Sequence, residues 1–97
     1  MLEKDIENRF VRYARKRGCR AVKFADPASP GGPDRLVLCP KGKSFFVEFK
    51  RPGEQPRANQ LAYHRMLEKL GHDVFVSDDF EHAKGLLDDF LTTFVST

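Results

Sequence analysis

The sequence predicts a single α/β domain in which helices flank one mixed β-sheet. Segments with helical periodicity alternate with short apolar runs typical of strands, in the order αβββαβα. One helix separates two strands, and a strand-helix-strand connection implies at least one parallel pair in the sheet. A length of 97 residues suits one hydrophobic core, so we expect one domain over residues 1–97.

Three segments have the patterning of helices. In residues 3–17 apolar side chains recur three and four positions apart until a glycine ends the pattern. A second helix is expected from Pro56 to about Leu70, because proline suits the first turn and a glycine follows the last. A third helix follows a cap at Ser77 or Asp78. Its apolar positions are Phe80, Ala83, Leu87, Phe90 and Leu91.

Four short runs are expected to form strands. Between the first and second lies a loop rich in proline and glycine. The second and third runs flank a Pro-Lys-Gly-Lys turn and therefore predict a β-hairpin. The predicted strands are residues 20–25, 35–39, 44–50 and 73–77.

Charge is unevenly distributed along the chain. Residues 1–57 contain 14 Lys and Arg against 7 Asp and Glu, a net +7, whereas residues 58–97 contain 3 against 7, a net −4. The basic first half favours a surface for a polyanion, although a solvated basic surface would have the same composition. No run approaches the roughly 18 apolar residues of a membrane span. The N-terminus also lacks the apolar segment of a secretory signal, so we expect a cytoplasmic protein.

Three ionisable groups are predicted to meet at one end of the hairpin. Glu48 and Lys50 are two positions apart in a strand and therefore share a face. Asp34 directly precedes the partner strand, at the end where Glu48 and Lys50 emerge. Unpaired charges are costly on an apolar sheet, so we expect these groups to have a partner or a metal. The opposite face of the strand is apolar and carries Phe45, Val47 and Phe49.

Two carboxylates at a strand end form the oxygen-rich site that Mg²⁺ or Mn²⁺ prefers. Lys50 beside such an ion could orient or deprotonate a water, or stabilise charge developing on a phosphate. Two other interpretations remain open. Glu48 and Lys50 could form a surface ion pair, or the two could join Asp34 in a metal-free buried network.

These motifs resemble the VRR-NUC family of PD-(D/E)xK nucleases. The similar features are a glutamate in the first helix, Gly-Gly-Pro-Asp ending at Asp34, Val-Glu-Phe-Lys-Arg-Pro-Gly beginning at Val47, and an early glutamine in the next helix. The resemblance runs from Glu3 to about Phe80. It implies the restriction-endonuclease-like αβββαβ fold, dependence on Mg²⁺ or Mn²⁺, and hydrolysis of DNA phosphodiester bonds.

The resemblance also implies roles for individual residues. Asp34 and Glu48 match the metal-binding carboxylates, and the backbone carbonyl of Phe49 matches a further metal ligand. Lys50 matches the catalytic lysine. Together these four positions would form the centre of the active site.

Four further sets of residues are assigned with less sequence support. Glu3 is preferred as the metal-binding glutamate of the first helix, because it lies about 30° from the centre of the apolar stripe and Glu7 about 70°. Gln60 matches the family's glutamine and would bond a site water, a catalytic group or a phosphate, although an ordinary polar residue at a helix flank is the alternative. His64 is expected on the helix surface. Candidate DNA contacts, each equally explained as a solvated cation, are Lys23, Arg35, Arg51 and Arg57.

The function expected from this pattern is a metal-dependent deoxyribonuclease. The chain has little room for a base-reading module, so recognition of shape and backbone is favoured over sequence. The resemblance to stand-alone, phage-type members implies a homodimer that cuts branched DNA such as Holliday junctions, in the cytoplasm of a bacterium or a phage-infected host. The alternative is a non-catalytic nucleic-acid-binding module of the same fold.

Overall fold

The computed structural model describes residues 2–96, in which the predicted element order αβββαβα is present. A short 3-10 turn over Pro40–Gly42 joins the second and third strands. The helices are α1 (Glu3–Lys16), α2 (Ala58–Lys69) and α3 (Phe80–Phe94). The strands are β1 (Arg20–Lys23), β2 (Arg35–Leu38), β3 (Ser44–Phe49) and β4 (Val74–Ser77).

The four strands form one mixed sheet in the order β1-β2-β3-β4. β1 and β3 both pair antiparallel with β2, whereas β4 pairs parallel with β3 across the α2 connection. The predicted hairpin and the predicted parallel pair are thus both confirmed. β3 is bonded on both sides and places Glu48 in the interior of the sheet, with Lys50 directly after the strand.

Side chains alternate between two layers along β3. One face packs against α1 and α3 and contains Phe45, Val47 and Phe49, as the sequence predicts. On the other face, Phe46 packs with Tyr63 and Leu67 of α2. The helices therefore flank the sheet on both faces, which confirms the predicted fold class. No helix within residues 2–96 has the length and apolar character needed to cross a membrane.

The second helix begins two residues later than predicted. Pro56 precedes the helix, and Arg57 is its extended N-cap residue. The backbone N–H of Arg57 donates to Oε1 of Gln60 at 2.8 Å. This side-chain acceptor satisfies a backbone donor at the helix start, which is why the helix begins here rather than at the proline.

The cap predicted for the third helix was also wrong. The N-cap is Asp79, whose carboxylate accepts from the backbone N–H of His82 at 2.9 Å. Ser77 is still part of β4. Asp78 uses its carboxylate elsewhere, accepting from the backbone N–H of Gly53 at 2.8 Å. Contacts with the β3–α2 loop therefore decide which acidic residue caps the helix.

The loop before β2 packs closely against the start of α2. Gly31 has φ of +100°, and a Cβ built at this position would lie 2.7 Å from the backbone oxygen of Asn59. A side chain here would thus be strained twice, by the backbone conformation and by the contact. The glycine pair allows the loop to bring Asp34 to the end of β3.

We predict that Gly31→Ala lowers the free energy of unfolding by about 1–3 kcal/mol more than Gly53→Ala does. Gly53 has a similar positive φ of +81° but no atom within 4 Å of an added Cβ, so it controls for the conformational cost alone. Urea denaturation of both variants measures the difference. Equal losses would show that close approach to Asn59 does not matter.

Candidate active site

The carboxylate of Glu48 is buried near the C-terminal end of β3, with 1% of the residue exposed. Its Oε1 lies 3.0 Å from Nε2 of His64, and its Oε2 lies 3.5 Å from Nζ of Lys50. Among the residues that the structure describes, Oε2 receives no hydrogen bond. A buried carboxylate oxygen without a donor is costly, so this atom is suited to bind a cation.

Asp34 lies beside this carboxylate at the end of the hairpin. Its Oδ2 accepts a hydrogen bond of 2.7 Å from the backbone N–H of Phe49. The strand register explains the contact, because Arg35 pairs with Val47 and Asp34 comes one residue earlier. The hydrogen bond fixes the carboxylate through Oδ2.

Negative charge is concentrated around Asp34. Burial raises the pKa of its carboxyl group, and the nearby charges of Glu7, Glu48 and Glu3 raise it further, while the Phe49 N–H acts in the opposite direction. The ionised form of Asp34 is therefore disfavoured in the folded protein. A cation bound among these carboxylates would lower the energetic cost of burying their charge and would reduce the repulsion between them.

The two glutamates of α1 have different surroundings. Glu7 is buried, accepts from Nε of Arg35 at 2.7 Å and lies 3.4 Å from Nζ of Lys23. Glu3 is half-buried, and no cation within residues 2–96 lies within 4.0 Å of its carboxylate. Both line a cavity together with Asp34. Glu7 is thus neutralised by protein cations, whereas Glu3 is not, and its role as a metal ligand stays a prediction.

This cavity has a volume of about 470 Å³ and is open to solvent. Glu48 and Lys50 do not line it, since both are buried between β3 and α2. Asp34 is therefore the residue that connects the buried pair with the open cavity. The charged lining residues are the acids Glu3, Glu7 and Asp34 and the cations Lys4, Lys23 and Arg51.

Lys50 is held by Gln60. Its Nζ donates to Oε1 of Gln60 at 2.8 Å, the same oxygen that accepts from the backbone N–H of Arg57. The backbone N–H of Lys50 donates to the carbonyl of Ser77 in β4 at 2.9 Å. The structure thus brings Gln60 to the proposed catalytic lysine, one of the contacts considered from the sequence.

His64 is buried, which contradicts its expected position on the surface of α2. Only 6% of the residue is exposed, and its ring contacts Glu48. The spacing could have revealed this, because His64 lies four residues after Gln60 and three before Leu67. Residues at those separations share a helix face, and both of these neighbours are buried.

The four candidate DNA contacts have different surroundings. Arg35 is tied to Glu7 and donates to the carbonyl of Ala21 at 3.1 Å. The Lys23 side chain is 71% exposed despite its contact with Glu7. Arg51 and Arg57 are both exposed. Lys23 and Arg51 line the open cavity, so they are the two best placed to meet a ligand there.

A second cavity of about 300 Å³ is lined by residues of α1, β1 and β2, and we call it the basic groove. Lys23 lines both cavities. Arg15 and Arg20 are exposed, and within residues 2–96 neither has a carboxylate within 4.0 Å. The cations lining the groove are Arg15, Arg20, Lys23 and Arg35.

Protein side chains alone do not enclose a metal ion in the described residues. Within residues 2–96, no group of three or more His, Cys, Asp or Glu residues has the arrangement of a metal site. Mg²⁺ commonly binds proteins through one or two carboxylates, with water and substrate phosphate supplying its other ligands. A site of that kind needs no more than two protein carboxylates, which is the number that Asp34 and Glu48 supply.

Comparisons with known proteins identify relatives of this chain, although it matches no protein-family model. "Putative nuclease p44" of Acyrthosiphon pisum secondary endosymbiont phage 1 is 50% identical over 76 residues, covering 78% of this chain and 82% of that protein. A solved structure described as a VRR_NUC domain has a TM-score of 0.73 and 32% identity, covering 88% of this chain and 97% of that chain. The chain therefore belongs to the VRR-NUC family of nucleases.

Proposed function

We propose that this chain is a Mg²⁺- or Mn²⁺-dependent deoxyribonuclease of the PD-(D/E)xK type, in which Asp34 and Glu48 bind the cation. Oε2 of Glu48 carries the proposal, since it is a buried carboxylate oxygen without a donor among the described residues. The raised pKa of Asp34 supports it, because its causes include burial and three neighbouring carboxylates. The backbone carbonyl of Phe49 and the carboxylate of Glu3 are the proposed further ligands.

When bound, a divalent cation supplies Lewis acidity toward a phosphoryl oxygen and lowers the pKa of a coordinated water. Lys50 complements this chemistry with a fixed positive charge. Its ammonium has three donors, of which one is used by Gln60. The ammonium also lies 3.5 Å from Oε2 of Glu48, and its proposed role is to stabilise charge that develops on the phosphate during hydrolysis. Gln60 orients the lysine.

DNA is the substrate that the basic surface supports. The open cavity and the basic groove together present cations from α1, β1 and the loop after β3. Such cations bind phosphates by charge and carry no sequence information. We therefore propose that the DNA backbone follows the basic groove into the site, with Lys23, Arg35, Arg51 and Arg57 as contacts.

The proposed activity is endonucleolytic and structure-specific. A domain of 97 residues gains stability by burying surface against a second copy, and a two-fold dimer holds two active sites at a fixed separation. That arrangement suits symmetric cuts in branched DNA such as a Holliday junction. The phage relative is consistent with action in the cytoplasm of a bacterium or an infected host.

Cleavage with Mn²⁺ present tests the proposal directly. Four-way junctions, flaps, nicked duplex and single strands are incubated with the wild type, and we expect cutting that is fastest on the junction and absent in EDTA. Binding without cutting of any substrate would leave a non-catalytic nucleic-acid-binding module. Cutting of every duplex at one rate would remove the preference for branched DNA.

We predict that Lys50→Met lowers the rate of cleavage at saturating DNA by about 100-fold to 1,000-fold, because a fixed donor to the developing charge is lost. Methionine retains the apolar stem, so the fold and most DNA affinity should survive. Lys43→Met removes an exposed lysine just before the same strand and is the control. A variant at Lys50 as active as this control would exclude the lysine from the reaction.

We predict that Asp34→Asn raises the Tm of the metal-free protein and abolishes its stabilisation by Mn²⁺. The folded carboxyl group has a raised pKa, so above that pKa its charge opposes folding, and the amide carries no charge. The gain over wild type should shrink as the pH falls toward about 4, where the unfolded carboxyl group is also protonated.

Thermal unfolding in EDTA and in Mn²⁺, across pH, measures both effects of Asp34→Asn. Asp73→Asn is the control, because Asp73 is exposed and lies outside the site. A lower Tm for Asp34→Asn without metal would mean that burial and repulsion do not outweigh the stabilising hydrogen bond from Phe49 to the charged carboxylate. Retained stabilisation by Mn²⁺ would mean that Asp34 does not bind the ion.

We predict that the double variant Arg15→Ala/Arg20→Ala reduces the slope of log K for DNA binding against log salt by about 2, since each lost phosphate contact contributes about 0.9. The control is Arg65→Ala/Lys69→Ala, which removes two exposed cations of α2 outside the basic groove. Fluorescence anisotropy over a range of salt concentrations measures both slopes. If the two double variants have the same slope of log K against log salt, the DNA does not bind in the basic groove.

A further inference from the structure

The histidine buried beside Glu48 has no role in the reaction proposed above. The side chain of His64 is 8% exposed and that of Glu48 2%. Nε2 of the ring lies 3.0 Å from Oε1 of the carboxylate. An exposed pair of this kind contributes little to the free energy of folding. A buried pair restricts the conformations of both side chains.

The direction of this hydrogen bond follows from the chemistry of the partners. A metal-binding carboxylate is ionised and only accepts hydrogen bonds, so in the proposed metal-binding state Nε2 of His64 carries the proton and donates to Oε1. Hydrogen bonds to a carboxylate are shorter and stronger than those between neutral groups. The contact therefore occupies Oε1 and opposes rotation of the Glu48 carboxylate, which leaves Oε2 as the oxygen without a donor among the described residues.

Helix α2 contacts the charged side chains of Glu48 in β3 and of Lys50 just after it from a single face. Gln60 holds the ammonium of Lys50, and His64 holds the carboxylate of Glu48. Gln60 and His64 are four positions apart, which places them one turn apart on the same side of the helix. Glu48 and Lys50, two positions apart, therefore face Gln60 and His64, four positions apart in the helix.

We propose that His64 is a positioning residue that fixes Glu48 with Oε2 free for the divalent cation. This inference rests on the proposed function, since it assumes that Glu48 binds the ion. Groups that hold a metal ligand in place without touching the metal typically affect its affinity by about 10-fold to 100-fold. His64 would therefore act on metal affinity through Glu48, without contacting the substrate.

Titration calorimetry with Mn²⁺ in the absence of DNA tests the inference on four variants. His64→Leu removes the donor, and we expect its Mn²⁺ affinity to fall by about 10-fold to 100-fold. His64→Gln should recover most of the affinity, because its amide nitrogen reaches about as far as the ring Nε2. His64→Asn is too short to do so. His72→Leu, at an exposed histidine, should bind like wild type.

Cleavage assays give a second measurement. The Mn²⁺ concentration for half-maximal activity should rise in His64→Leu by the same factor as the dissociation constant, while the rate at saturating Mn²⁺ changes little. A residue that only supports the fold would lower the Tm of the Gln and Asn variants alike, without separating their Mn²⁺ affinities. The comparison between Gln and Asn remains decisive if leucine destabilises the protein.

The outcomes separate this inference from the proposed function. If wild type binds Mn²⁺ and cuts DNA, and His64→Leu and His64→Asn bind Mn²⁺ as tightly as wild type does, only the positioning role is overturned. If wild type neither binds Mn²⁺ nor cuts DNA, the proposed function fails and the inference fails with it. If Mn²⁺ affinity falls least in His64→Gln, more in His64→Asn and most in His64→Leu, the result supports both the positioning role of His64 and the proposed function.

Discussion

An ionised carboxylate in the middle of a β-sheet is costly unless its charge is compensated. Glu48 occupies such a position, and the surrounding structure compensates it only in part. Lys50 lies near one of its oxygens and His64 bonds the other, while Asp34 adds a second, half-buried carboxylate at the same strand end. The remaining negative charge lowers the stability of the folded protein. The same charge would attract the cation of the proposed reaction.

The rest of the fold places these groups from separate parts of the chain. The antiparallel register of β2 and β3 brings Asp34 to the N–H of Phe49. The parallel register of β4 anchors the backbone of Lys50 through Ser77. α2 then covers the buried pair, and α1 supplies acids and cations to the open cavity. The site is therefore made by strand pairing, with the helices positioning and neutralising its charges.

Sequence patterns predicted the parts that depend on local periodicity. Alternation along β3 separated Phe45, Val47 and Phe49 from Glu48 and Lys50, and the hairpin turn brought Asp34 to the correct end. His64 was missed because polar residues on a helix are usually exposed, and the burial of its face depends on packing against the sheet. The cap of α3 was misplaced for a related reason, since Asp78 bonds a loop that is distant in sequence.

The proposed reaction depends on Asp34 and Glu48 binding one divalent cation between them. Anomalous diffraction at the manganese edge, from crystals grown with Mn²⁺, can locate this ion. We expect a single strong peak within coordination distance of both carboxylates, close to the carbonyl of Phe49. A peak beside Glu7 alone, or an ordered protein with no peak near Glu48, would contradict it.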